Sequence, residues 1–231
     1  MAPGTPPSFD PFWEDRYARG HAQRYPWDVV VSFVYRNAPG DRPRKAVSIL
    51  EVGCGTGANL WFAAREGFAV TGIDASASAI AGARARFDRE GLDGTLIEGD
   101  FTDLPFADNS FDLAIDRCSI TCCGRTAARR AVAEVHRCLA PGGRFLFVPY
   151  STRHTSAAAG RDAGDGLVDD IRAGSLADTG QICFYDRDQV AALFARGWTV
   201  RSMAHLEETD PAAQPETRHA EWRVVAEKAA P

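Results

Sequence analysis

The sequence has no apolar run approaching the ~20 residues that cross a bilayer as a helix, so nothing in it points to a membrane partner. Its opening residues, MAPGTPPSFDPFWEDR, lack a charged stretch followed by an apolar one, which argues against a signal peptide and leads us to expect a cytoplasmic protein. Lysine is nearly missing, occurring only at Lys45 and Lys228, and basic residues fall short of acidic ones, 26 against 31. The resulting charge of −5 offers no footprint for nucleic acid. Disulfide-framework spacing is also lacking among Cys54, Cys118, Cys122, Cys123, Cys138 and Cys183. Cys118, Cys122 and Cys123 have no second ligand pair at zinc spacing, so no metal is expected. Internal repeats are missing too.

What those absences leave is a chain of ordinary globular composition, 45% hydrophobic and 25% charged. Its 231 residues suit one domain with a sizeable core. Residues 1–10, rich in proline and glycine, read as a disordered tail. Two helices follow, FWEDRYARG and WDVVVSFVYRNA, so residues 1–45 form a tail and helical lid ahead of a domain over 46–231. From there apolar β-branched runs alternate with helical patterns. AVSILEV, FAVTGID, GTLIEGD, FDLAIDR and RFLFVPY read as strands. Helices lie between them, the last (RTAARRAVAEVHRCLAPGG) ended by Pro141 and its glycines. Strands alternating with helices predict a doubly wound, mostly parallel α/β sheet. WTVRSMAHLEE and RHAEWRVVAEK add a C-terminal antiparallel hairpin, for seven strands in all. Residues 151–180 show little periodicity and read as a mobile loop over a site.

Residues 49–60, ILEVGCGTGANL, place Gly53, Gly55 and Gly57 directly after a strand and before a helix. Glycine lets a ligand approach the backbone closely, and the helix start offers free N–H groups. Asp74 ends the next strand, where a carboxylate can accept both hydroxyls of a ribose. These features fit a nucleotide-like ligand, and Gly53 to Ala58 also satisfies the dinucleotide pattern G-x-G-x-x-G/A.

LEVGCGTG, GIDAS, EGDFTDLPFADNSFDLAID and LAPGGRFLFV occur in this order over residues 46–150 and together resemble the motifs of class I S-adenosylmethionine-dependent methyltransferases. The resemblance implies S-adenosyl-L-methionine as cofactor and S-adenosyl-L-homocysteine as product. It implies that Glu51 serves the amino-acid end of the cofactor, that Asp100 accepts from the adenine amino group, and that Phe101 lies against the ring. Asn59, Ala75, Asp116 and Cys118 complete the expected cofactor contacts. A weaker echo of the thiopurine and tellurite-resistance methyltransferases, in the W-x-x-x-Y-x-x-G pattern and Asp116-Arg117, implies that Trp13, Tyr17 and Trp27 fold over the cofactor as a lid.

The acceptor is less legible, because a sulfonium is already a good leaving group and a base is needed only where the acceptor must lose a proton. His154 and Asp116 are the catalytic candidates, and Tyr25, Arg117, Tyr150 and Arg153 the substrate-binding ones. Arg117 suits either an anionic acceptor or a neighbouring acid. In the last strand His219, Glu221 and Arg223 share one face and Ala220, Trp222 and Val224 the other. The apolar face is expected in the core and the polar one toward solvent. The reading is therefore methyl transfer from S-adenosylmethionine to a small-molecule acceptor bearing an O, N or S nucleophile. A nicotinamide-dependent oxidoreductase and a non-catalytic S-adenosylmethionine-binding module remain as alternatives.

Overall fold

The computed structural model describes residues 8–212, 214 and 216–229. Helix α1 (Pro11–Ala18) begins at Asp10, whose side chain accepts from Phe12 N, and α2 (Asp28–Asn37) follows. Then come β1 (Ser48–Val52), α3 (Ala58–Arg65), β2 (Ala69–Asp74), α4 (Ala77–Glu90), β3 (Thr95–Glu98), β4 (Phe111–Arg117), α5 (Arg125–Cys138) and β5 (Leu139–Val148). After three short strands, β6 (Arg161–Gly164), β7 (Leu167–Asp169) and β8 (Ile182–Cys183), the chain ends in α6 (Arg187–Leu193), β9 (Trp198–Asp210) and β10 (Thr217–Lys228).

Seven strands form one sheet in the order β3-β2-β1-β4-β5-β10-β9. The first five pair in parallel, and β10 runs antiparallel to both β5 and β9. Alternate residues of each strand enter opposite layers, as the two-residue period requires. Ile49, Val70, Leu113 and Leu146 pack under α2, α3 and α4. Leu50, Ala114, Phe145 and Phe147 pack under α5 and α6. Burial on both faces explains why the central strands read as continuous apolar runs. The order reverses between β1 and β4, so the crevice that suits a ligand opens at their carboxyl ends.

Three expectations change. Residues 151–180 are not a structureless connection. His154 caps a 3-10 turn at Thr155–Ala158, and β6, β7 and β8 build a small antiparallel sheet whose strands are too short to show periodicity. α5 stops at Cys138 rather than at Pro141, because Leu139 already pairs with Phe111 in the sheet. Of the tail expected to be disordered over 1–10, residues 1–7 lie outside the described residues, while Ser8, Phe9 and Asp10 line the main cavity. No helix among the described residues is long and apolar enough to cross a membrane.

Candidate functional site

A cavity of about 460 Å³ opens where the sheet order reverses. Its floor is the loop after β1. Gly53, Gly55 and Gly57 adopt φ of +64°, +52° and +73°, the left-handed region that glycine enters without a Cβ penalty. At Gly55 a Cβ would also stand 2.7 Å from the Tyr17 hydroxyl. Gly57 then starts α3, whose first residues, Ala58 and Asn59, line the cavity.

Carboxylates from three successive strand ends surround this loop. Asp74 is buried and accepts from Gly55 N at 2.8 Å and Ser76 N at 2.9 Å, so its lone pairs are half used. Burial raises its pKa above the usual aspartate value. Glu51 is 2% exposed and accepts from Asn59 Nδ2 at 2.6 Å, while its Oε2 has no partner in the protein. Burial, opposed by the Asn59 bond and reinforced by the charges of Asp116 and Asp74, pushes Glu51 up to about 8. Asp100 accepts from Thr102 N at 2.8 Å and from the Ser8 hydroxyl. Ala75 and Phe101 complete this wall.

The roof comes from outside the sheet. Glu14 of α1 accepts from the hydroxyls of Ser76 and Ser78 at 2.6 and 2.5 Å, at the start of α4. Across the cavity Asp10 accepts from Gln181 N at 2.7 Å. Trp13 packs with Cys122, Ile171, Leu176 and Ile182, and its buried Nε1 has no partner. Tyr17 and Trp27 also line the cavity, and Trp27 N donates to Asn59 Oδ1 at 3.0 Å. α1 is thus tied to both banks. Glu14, Asp10 and Gln181 were not singled out in the sequence, since their partners lie far away along the chain.

The remaining wall follows β4. Arg117 and Cys118 line the cavity, as does Tyr150 after β5. The Arg117 side chain is 7% exposed; its Nη2 lies 3.2 Å from Glu221 Oε2, and its guanidinium sits 4.1 Å from the Trp27 ring centroid. Glu221 is therefore buried, which corrects the solvent-facing reading of its strand face. It also accepts from Arg223 at 2.7 Å and lies 3.2 Å from His219. Against the cost of burial, bonding to His219 and the charges of Arg117 and Arg223 hold it ionised, with a pKa near 2.

Several candidates stand elsewhere. His154 is buried off the cavity, with Nδ1 accepting from Ser156 N at 3.0 Å and Nε2 3.1 Å from the Ser175 hydroxyl. Burial lowers its pKa to about 4, and one ring nitrogen serves the turn while the other meets Ser175. This corrects its expected place as base. Asp116 is fully buried and accepts from Ser119 N and Ile120 N, fixing the turn after β4 rather than facing the cavity. Tyr25 is 65% exposed, and Arg153 pairs with Glu207 at 2.5 Å; neither lines the cavity.

Residues 49–143 match a methyltransferase domain model, with Glu51, the glycine loop, Asp74 and Asp100 inside the match. Over these residues the chain is similar to the class I S-adenosylmethionine-dependent methyltransferases. The malonyl-[acyl-carrier protein] O-methyltransferase of Erwinia pyrifoliae is 36% identical over 46% of this chain and 38% of its own length. The ubiquinone/menaquinone biosynthesis C-methyltransferase of Dinoroseobacter shibae is 38% identical over 47% and 44%. The chain thus spans less than half the length of either relative. A solved structure concerned with converting a disulfide bond into a thioacetal group during echinomycin biosynthesis is 26% identical, with TM-score 0.66 over 93% of this chain and 91% of that one. The N-terminal likeness to thiopurine methyltransferases gains no support from these relatives. Around this cavity the polar groups fit the donor: the unpartnered Glu51 Oε2 suits an ammonium, and half-used Asp74 suits a pair of hydroxyls.

Proposed function

We propose that the protein transfers the methyl group of S-adenosylmethionine to a small-molecule acceptor. The observation that carries this reading is the convergence of Glu51, the glycine loop, Asp74 and Asp100 on one cavity. Glu51, with Asn59 behind it, would take the ammonium end; Asp74 the ribose hydroxyls; Asp100, Ala75 and Phe101 the adenine. A nicotinamide enzyme accounts for Asp74 and the glycines but gives no work to Glu51 or Asp100.

The donor, when bound, supplies an electrophilic methyl group on a good leaving group. The chain's own contribution is alignment and exclusion of water. Tyr17, Trp13 and Trp27 supply the screen, and aromatic faces suit a cation. The cavity, near the low end of ligand pockets generally, favours a small acceptor or the small end of a larger one. The net charge of −5 supports a reading without nucleic acid. The two curated relatives are named for O- and C-methylation and so leave the acceptor atom open.

Calorimetric titration with S-adenosylhomocysteine and NADH tests the site. Saturable binding of S-adenosylhomocysteine alone, lost in Asp74→Ala, is expected. NADH binding in its place would sink the reading. Methyl transfer to any acceptor then separates an enzyme from a non-catalytic binding module.

A further inference from the structure

Arg117 stands at the end of the cavity away from Asp74 and Asp100, and its charge is only partly answered. One buried carboxylate, Glu221, serves two guanidiniums. Arg223 has the closer contact, Nε to Oε1 at 2.7 Å, while Arg117 Nη2 reaches Oε2 at 3.2 Å and shares that oxygen with His219. Asp28 comes within 3.8 Å of Arg223 but is 79% exposed, so solvent screens it. The other neighbours of Arg117 are the Cys118 thiol, a weak acceptor, the Tyr150 hydroxyl, and the Trp27 ring face at 4.1 Å. Its Nε is buried without a partner. A guanidinium carries five donors, and here the protein answers only a fraction of them. Buried cations are normally paired more fully than this.

The rest of the cavity wall tells which acceptor such a residue serves. Burial raises the pKa of Tyr17, Tyr150, Cys118 and Cys122, so each keeps its proton at neutral pH. Among the described residues, the one imidazole on the wall is that of His21, exposed at the rim of the roof. An acceptor that must shed a proton finds little help here. One that arrives already ionised needs none.

Building on the proposed methyl transfer, we infer that the acceptor is a small organic carboxylate whose charged group docks on Arg117. The guanidinium fork matches a carboxylate in shape and sign. A carboxylic acid, with a pKa near 4, is ionised at pH 7. In the transfer a carboxylate oxygen forms the new C–O bond, the carbon–sulfur bond of the donor breaks, and its electron pair remains on sulfur. The sulfonium charge and the carboxylate charge vanish together, giving a neutral ester and a neutral thioether, and no proton moves.

The test uses the full chain saturated with S-adenosylhomocysteine. It is titrated with short aliphatic and aromatic carboxylates, and with the matching neutral amides, by calorimetry and by tryptophan fluorescence. Wild type should bind its best carboxylate about tenfold to a hundredfold more tightly than the matching amide, the range of a charge-assisted contact. The preference should collapse in Arg117→Gln/Glu221→Gln, which replaces the ion pair with a neutral hydrogen-bonded one, while S-adenosylhomocysteine affinity stays. Equal binding of acids and amides, or a preference that survives in the double variant, overturns the inference. Loss of S-adenosylhomocysteine binding by wild type would overturn the underlying methyltransferase reading instead. With labelled S-adenosylmethionine, the best-binding acid should yield a base-labile methyl ester; label on any other atom also counts against it.

Discussion

If Glu51 takes the ammonium of the donor, as proposed, binding depends on pH in a calculable way. With its pKa near 8, the buried carboxyl of the free protein is about one-hundredth ionised at pH 6 and half ionised at pH 8. An ammonium partner needs the ionised form. The association constant for S-adenosylhomocysteine should therefore rise about fifty-fold between these values, with close to one proton released per ligand at the acid end. At still higher pH the ligand's own amino group loses its proton and reverses the trend. In the free protein the sign is opposite. The unfolded chain titrates Glu51 near 4.5, so its contribution to stability is full below that value and is lost as pH rises through about 8. Calorimetry in buffers of different ionisation enthalpy measures the proton release. 5′-Methylthioadenosine, which lacks the amino-acid end, provides the control and should bind with little pH dependence. Glu51→Gln should flatten the profile for S-adenosylhomocysteine. A flat wild-type profile, or an equal slope for both ligands, would refute the assignment of Glu51 to the ammonium.

Two further variants probe the frame around the site. Gly55→Ala must hold a Cβ at φ +52° and displace Tyr17, which should cost about 1–2 kcal/mol and lower Tm by roughly 2–8 °C, with weaker S-adenosylhomocysteine binding; an unchanged melt would show that the loop relaxes freely. His154 is held neutral, so its share of stability is present above pH 6.5 and lost as pH falls through about 4; His154→Asn, whose Oδ1 can accept from Ser156 N, should melt with less acid sensitivity in that window and still transfer methyl groups.

The glycine-loop side of the cavity was legible because each part is local. A strand, three glycines and a helix start lie within residues 49–60, and Asp74 closes the next strand. The left-handed dihedrals of Gly53, Gly55 and Gly57 are backbone requirements that only their residue type announces. The Arg117 side was not legible. Arg117 and Glu221 meet because β10 inserts beside β5, a pairing no local pattern encodes. Glu221 alternates with Trp222 as a solvent-facing residue would, yet cations on β4 and β10 make its burial tolerable. His154 looked like a base from its place after β5, but a neighbouring amide at Ser156 claims one ring nitrogen. β6, β7 and β8 span only two to four residues each, too few to display alternation.

The cavity is assembled from two sources that need not change together. Its floor is the carboxyl edge of the sheet, where Val52, Cys54 and Ile73 belong to the packed core, so that substitutions propagate into packing. Its roof is α1, resting on Ser76 and Ser78 on one side and on Gln181 on the other through a few side-chain bonds. A lineage can therefore rewrite the roof, through residues 8–27 and 171–182, while the floor stays constant. Protein engineers can do the same: grafting these two segments from a relative should change the cover over the cavity while Glu51, Asp74, Asp100 and Arg117 keep their places.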